Sequence, residues 1–553
     1  MARMTGKRAF MEMLRAEGVK YIFGNPGTSE SPIMSSLSDY PEIQYVLATQ
    51  EGVAMGMADG YACASGQPSF VNLHIETGLA NGISLLQHAM DGGTPLVLTS
   101  GNKDVRKLAE GRTDLVEMVR QFTKWSAEVT HPEQIPGVLR RAFHEAKTPP
   151  TGPTYVAIAA NAFDDEAEVE IRPSPISYYR SAPDPAAVQA AAHLLANADD
   201  PVLLVGDRLA QSGGVDAAVR LAELLGARVY AASYSRMNFP TEHPQFLGRI
   251  APAFPASRKI LSSSDVVLAV GADVFSGFFY FSGPVLSGDT KLIHLDSAHR
   301  AVGRSEHTDV GIIADPGSAL QDLYDAVAQS MPGPVREAAR SRVVTVGQQK
   351  GRQSNAWKKR VQERWDWSPM SAERMMSEAA AALPADAIIV DDSLSSKDAL
   401  HGAVNFRTPG SIFGERVGAI GWGMGSTMGV KLAHPGRPVV GIIGDGSAMM
   451  TVQALWTAAA YDIPAVYLIC NNRSYRILKL NMNIYKDQIL GEKPPEQYVG
   501  MDFPVPLNIA GIANAIGVYG KTIEDPSEIG PSLKQALASG KPAVLDVVID
   551  GSV

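Results

Sequence analysis

An apolar run, PVVGIIG at 438–444, stops at Gly444; one carboxylate follows, Asp445, then Gly446 and Ser447. A helix-like segment (SAMMTVQALWTAAAYD) and a strand-like segment (AVYLIC) then lead to Asn471 and Asn472. A helix followed by a parallel strand returns the chain to the same sheet edge. Asp445 and Asn472 are therefore expected at carboxyl ends of strands, where open α/β sheets bind ligands. A carboxylate, an amide oxygen and a nearby main-chain carbonyl suit a hard cation such as Mg²⁺, with positions left for diphosphate oxygens and water. Gly444 and Gly446 allow close backbone approach to a diphosphate, and the free N–H groups of the following helix would face it.

Other residues share this kind of setting. In YVLATQEGVAMGMADGYA, Glu51 falls between a strand and a helix of small residues. Few carboxylates occupy such apolar surroundings without a task, although an acid at a helix N-terminus is also favoured by the dipole. His74, in VNLHIETG, and Thr28, in GNPGTSE, follow two further strands. Ser395 and Ser396, in DDSLSSKD, follow another; they either hold phosphate oxygens or belong to a plain hydroxyl-rich loop.

Short β-branched runs bounded by Gly, Pro or Asp alternate with longer helical segments along the whole chain. This pattern predicts an α/β protein of parallel sheets covered on both faces. With 553 residues, three doubly wound domains are expected, over 1–172, 186–340 and 369–553. A proline-rich stretch at 172–185 and a polar stretch at 347–369, read as part helix and part tether, would separate them. The first and third blocks look faintly symmetric, each with a small-residue helix, at 51–62 and 421–433. The net charge of −9, without a basic block, argues against nucleic acid. No apolar run is long enough to span a membrane. The N-terminus lacks a signal-peptide core, and Cys63 and Cys470 suit free buried thiols. A cytoplasmic location is expected.

Together, GDG, helix, strand and NN resemble the motif of the thiamine diphosphate enzymes. The resemblance implies thiamine diphosphate and Mg²⁺ as cofactors, with the Asp445 and Asn472 side chains and the Ser474 carbonyl as metal ligands. It further implies that Ile420, in GAIGWG, wedges beneath the bent cofactor while the Gly418 carbonyl takes its amino group. Glu51 would exchange a proton with the pyrimidine ring. Pyrimidine-binding, middle and diphosphate-binding domains would follow in that order, with a homodimer as the smallest active unit and a homotetramer as the likeness extends. In this arrangement Glu51 and the diphosphate site belong to different subunits.

Within the family, GNPGTSE, HIETG, ADGYA, FTKWS, FPTEHPQF and ALWTAAAYDIP resemble the benzoylformate decarboxylase branch along nearly the whole chain. The resemblance implies a 2-keto-acid decarboxylase, with Thr28 at a substrate-carboxylate position and His74 as an active-site histidine. Three departures stand out. Phe278 occupies the place of a second histidine, Glu76 replaces a small residue, and Leu478 stands where pyruvate decarboxylases carry a glutamate. Glu76, Phe278, Tyr475 and Leu478 are candidates to line the pocket for a keto acid or aldehyde. An acetolactate-synthase-like carboligase and a 2-hydroxyacyl-CoA lyase are the alternatives within the family. A nucleotide-binding dehydrogenase or non-catalytic binding protein is the alternative outside it, weakened by the lack of a clean G-x-G-x-x-G in the middle block.

Overall fold

A computed structural model describes residues 1–176, 180–232, 235–273 and 277–553. Parts of the proline-rich stretch (177–179) and of the aromatic segment around Phe278 (274–276) lie outside the described residues. Three sheets of six parallel strands form the frame among the described residues. Their central strands are buried from end to end, such as Leu96–Asn102 and Val466–Asn471, as expected of sheets with helices on both faces.

The N-terminal sheet runs Gln44–Leu47, Tyr21–Asn25, Ser69–Leu73, Leu96–Asn102, Thr154–Ala159, Trp125–Val129 across its width. The C-terminal sheet runs Ile412–Gly414, Ile388–Asp392, Val439–Gly444, Val466–Asn471, Ala543–Val548, Tyr519–Ile523. With each sheet's strands ranked by chain order, both read 2-1-3-4-6-5. The symmetry hinted at by the two small-residue helices is thus a shared topology. The middle sheet reads 3-2-1-4-5-6, the Rossmann order. In the outer sheets the order reverses between the first and third strands, which places the ligand crevices after Asn25 and Leu73 and after Asp392 and Gly444.

The two small-residue helices, Glu51–Ser65 and Trp422–Ala433, pack side by side. A Cβ on Gly429 would lie 2.0 Å from the Met57 carbonyl, and one on Gly425 2.6 Å from that of Val53. Only hydrogen at these positions lets the backbones approach so closely. Val53 meets Gly425 and Met57 meets Gly429, so the helices run parallel and their N-terminal ends lie on the same side.

The 347–369 stretch is part helix, as expected: it is helical through Glu363, as the end of a 31-residue helix that begins at Gly333. One local expectation needs adjusting. The single helix read after Gly446 is two, Asp445–Met450 and Ala454–Ala460. Between them the Thr451 hydroxyl donates to the Gly421 carbonyl at 2.6 Å, which ties the break to the loop before Trp422.

Candidate active site

In the C-terminal domain, Asp445 opens its short helix with only 2 % of its surface exposed. Its Oδ1 accepts from the Gly446 N–H at 2.8 Å and its Oδ2 from the Arg473 N–H at 2.7 Å. Arg473 adopts φ +59°, a strained conformation for a side-chain-bearing residue, which turns this N–H onto the carboxylate. Burial pushes the Asp445 carboxyl up to about 7, and among the described residues no Lys or Arg side chain neutralises it. The paired strands bring Asn472, on the next turn, beside it; its Oδ1 accepts from the Ser474 N–H (3.1 Å) and hydroxyl (3.2 Å). Its Nδ2 reaches the Ser395 hydroxyl at 3.5 Å, which joins the NN turn to the turn after Asp392. Ser396, in contrast, is buried, and Leu394 between them and the strand takes φ +48°.

Among the described residues no three His, Cys, Asp or Glu side chains converge on one point. A cation here would be held by one carboxylate, one amide oxygen and main-chain oxygen, a hard-oxygen set that leaves room for diphosphate and water. The backbone above is bare: a Cβ on Gly418 would meet nothing within 4 Å, and one on Gly444 nothing nearer than 3.7 Å. Gly446 has the opposite reason for being glycine, since a Cβ would lie 2.5 Å from the Tyr475 ring, which packs edge-on against Phe503. The residues fit Mg²⁺ and a diphosphate.

The loop leading to Trp422 is held in an unusual shape. Val417, Gly418 and Gly421 have φ of +53°, +72° and +93°. Glu415 accepts from the Gly418 N–H and pairs with Lys397 at 2.8 Å. Ser447 accepts from the Gly421 N–H at 2.8 Å and donates to Asp392. Asp392 also takes the Gly423 N–H at 2.9 Å, while its Oδ1 has no partner among the described residues. Burial, then the nearby Glu415, pushes the Asp392 carboxyl up to about 7. Ile420, at the crest of this loop, is only half-buried, unlike a core isoleucine.

The same loop is pinned to the N-terminal domain. Asp59 accepts from the Trp422 indole (2.7 Å), the Arg416 guanidinium (3.2 Å) and the Thr94 hydroxyl (2.6 Å), and His88 Nε2 accepts the Arg416 N–H at 3.0 Å. Against the cost of burial, Arg416 and His88 hold the Asp59 carboxyl well below its ordinary range.

In the N-terminal domain, Glu51 begins its helix almost buried. Its two oxygens accept from Asn25 and Asn81, each at 3.0 Å. Gly78 keeps His74 close: a Cβ there would sit 3.1 Å from the His74 Cβ and 3.3 Å from the Glu51 carboxylate. His74 itself is fixed by a residue the sequence did not single out. Glu30 is fully buried; its Oε2 lies 2.9 Å from His74 Nδ1 and accepts the Gly27 N–H at 2.9 Å. Its Oε1 takes the Ser29 hydroxyl at 2.7 Å and the Gly101 N–H at 2.9 Å. The Ser29 hydroxyl also lies 2.8 Å from His74 Nδ1. With Ser29 donating to Glu30, this network is satisfied when Nδ1 carries the proton, which leaves Nε2 as the nitrogen turned away from Glu30.

The remaining candidates divide. Thr28 is exposed at the head of the turn that carries Glu30. Glu76 follows His74 by two residues; its Oε1 accepts from Thr113 at 3.0 Å, and its Oε2 is buried without a partner among the described residues. Leu478 is 44 % exposed on the helix after the NN turn. Phe278 is 96 % exposed and its ring packs edge-on against Phe279, 5.5 Å away; the structure does not bring it to Glu51 or Asp445.

Three family models for the thiamine pyrophosphate enzymes match the chain: the N-terminal TPP binding domain over 4–123, the central domain over 188–323 and the C-terminal TPP binding domain over 394–547. The chain belongs to the thiamine pyrophosphate enzyme family, and its three α/β sheets are those three domains. It is 32 % identical to the benzoylformate decarboxylase of Pseudomonas aeruginosa, over 98 % of each chain. It is 26 % identical to a probable acetolactate synthase large subunit of Methanocaldococcus jannaschii, over 99 % of this chain and 92 % of the relative. A solved 4-hydroxybenzoylformate decarboxylase from Rhodococcus jostii RHA1, described as thiamine diphosphate-dependent, superposes with a TM-score of 0.84 at 28 % identity and covers 99 % of each chain. The class is thus a thiamine diphosphate enzyme of carbon–carbon bond chemistry, related to both decarboxylases and acetolactate synthases. Among the described residues no helix is long and apolar enough to cross a membrane.

Proposed function

We propose that the protein is a thiamine diphosphate- and Mg²⁺-dependent 2-keto-acid decarboxylase of the benzoylformate type, acting as a homodimer or homotetramer. The observation that carries this reading is the pairing of two built half-sites: the uncompensated Asp445 carboxylate beside Asn472, and Glu51 beside a Glu30-anchored His74. Asp445, Asn472 and the Ser474 carbonyl would hold Mg²⁺, and Gly418, Ile420, Ser395 and Ser396 would border the cofactor. When bound, thiamine diphosphate supplies the nucleophilic carbon and the electron sink that keto-acid cleavage needs.

The chain's own residues orient and move protons. Glu51, held by two asparagine amides at a helix N-terminus, would exchange a proton with the pyrimidine ring of the cofactor. His74 offers Nε2 to the substrate, with its ring fixed by Glu30 and Ser29. Thr28, exposed at the head of the turn that carries Glu30, would take the substrate carboxylate. Glu76 Oε2, buried without a partner among the described residues, would favour a substrate that brings it a hydrogen-bond donor.

The test is incubation of the holoprotein with a panel of aryl and alkyl 2-keto acids, with and without added aldehyde. Release of CO₂ with an aldehyde product supports the reading; no CO₂ from any member rejects it. A hydroxyketone as the dominant product would favour the carboligase, for which the likeness to acetolactate synthase speaks.

A further inference from the structure

Away from Glu51 and Asp445, a cleft of about 560 Å³ opens among three elements: the middle-sheet edge Phe246–Arg249, the long helix Gly333–Glu363 and the short helix Lys397–Ala403. This volume falls within the ~300–1,000 Å³ usual for small-molecule sites. Phe246, Trp357 and Phe406 line it. Phe246 is backed by Phe239, with ring centroids 6.1 Å apart. Trp357 lies flush against Gly402, where a Cβ would come within 2.6 Å of the indole.

Of the cations lining the cleft, Arg236 and Lys350 have no carboxylate partner among the described residues. Arg249 donates to Asp398 at 3.3 Å, and Glu242 binds Arg407 and Asn405. Arg236 turns its guanidinium to Cys63 Sγ at 3.2 Å and to the Phe413 ring at 5.6 Å. The half-buried Lys350 ammonium lies 5.4 Å from the Phe246 ring centroid and donates to the Thr241 carbonyl at 3.0 Å. Among the described residues no carboxylate pairs with it, and burial lowers its pKa. A neutral polar group completes the wall. His401 Nε2 is buried without a hydrogen-bond partner among the described residues, with the imidazole 5.2 Å from the Phe406 ring. Burial, then Arg249 and Lys397, keeps this imidazole neutral by pushing its pKa well below the ordinary value.

We propose that this cleft is a second binding site, for a small aromatic monocarboxylate whose ring lies among Phe246, Trp357 and Phe406 and whose carboxylate meets Lys350. Aromatic walls select a planar ring. The Lys350 ammonium, held by a carbonyl and a ring rather than a carboxylate, would take the negative charge, and the unpartnered His401 Nε2 offers one further hydrogen bond. The site has a route to the catalytic machinery. Its floor helix starts at Lys397, immediately after Ser395 and Ser396, and Lys397 holds the Glu415 carboxylate that takes the Gly418 N–H. An occupant pressing on this helix therefore bears on the loop bordering the cofactor.

The test is isothermal titration of the holoprotein with benzoate, benzylamine and acetate, for the wild type, Lys350→Gln and Ser354→Trp. Ser354 is an exposed cleft residue of the long helix, so the indole would fill the cleft without touching a core. Benzoate is expected to bind saturably, with benzylamine and acetate weaker by roughly tenfold or more. Lys350→Gln should weaken benzoate by a similar factor and Ser354→Trp should abolish its binding, while both variants keep wild-type thiamine diphosphate uptake. Equal benzoate affinity in all three proteins would mean that the carboxylate binds elsewhere, the catalytic site included, and would overturn the proposal. Acetate binding as tightly as benzoate would overturn it as well.

Discussion

Glu30→Gln tests whether the buried acid behind His74 is part of the catalytic arrangement. The substitution keeps the shape and exchanges one acceptor oxygen for an amide. Glu30 takes four donors, two on each oxygen: the Gly27 N–H and His74 on one, Ser29 and the Gly101 N–H on the other. Whichever way the new amide turns, two donors face an NH₂ group. A hydrogen bond to a charged group is worth ~1.5–3 kcal/mol, so the gross loss is about 3–6 kcal/mol. Part of this is offset because a carboxylate no longer has to be buried. The net destabilisation should be about 2–4 kcal/mol, read as a lower denaturation midpoint of the N-terminal domain. His74 also loses the partner that sets its tautomer and ring angle, which should lower kcat/KM for a keto acid by ~10–100-fold. The assay pairs a urea melt with steady-state decarboxylation at matched cofactor saturation. A variant whose midpoint and kcat/KM both match the wild type would refute the idea that Glu30 holds His74 for catalysis.

Other outcomes follow from the same geometry. Gly429→Ala places a methyl 2.0 Å from the Met57 carbonyl, so the paired helices must separate; the cost is expected at about 1–3 kcal/mol or more, visible in a thermal melt. Asp392, raised from 3.8 to about 7 by burial and Glu415, holds its proton longer in the folded protein than in the unfolded chain. Its contribution to stability therefore falls as pH rises from about 4 to about 7, and Asp392→Asn should give a shallower loss of melting temperature across that range. Mixing inactive Glu51→Gln and Asp445→Asn proteins tests the subunit arrangement. If each site draws on two chains, scrambled dimers should recover about a quarter of wild-type turnover, whereas sites built within one chain should recover none.

That Asp445, Asn472 and Ser474 come together was legible in the sequence because they occupy two turns that parallel strands must bring to one edge. Glu51 was readable for a similar reason, as an acid at a junction between a strand and an apolar helix. Glu30 was not, because in GNPGTSE it looks like any polar loop residue, and only the return of Gly101 and His74 around it reveals its burial. The small residues of the two paired helices were visible, but not that Gly425 and Gly429 face Val53 and Met57 across a domain boundary. The break at Thr451 escaped notice because its cause is a hydroxyl reaching a carbonyl thirty residues earlier in the chain. Phe278 shows the reverse problem. Aromatic residues in a row suggest a pocket, yet chain adjacency says nothing of location, and this ring stands almost wholly exposed.

The most direct measurement is calorimetric titration of thiamine diphosphate into the purified protein, with Mg²⁺ and then with excess chelator, for the wild type and Asp445→Asn. The account predicts saturable uptake that needs the cation and is lost in the variant. No uptake with Mg²⁺ present, or uptake indifferent to both the chelator and the loss of the Asp445 carboxylate, would contradict it.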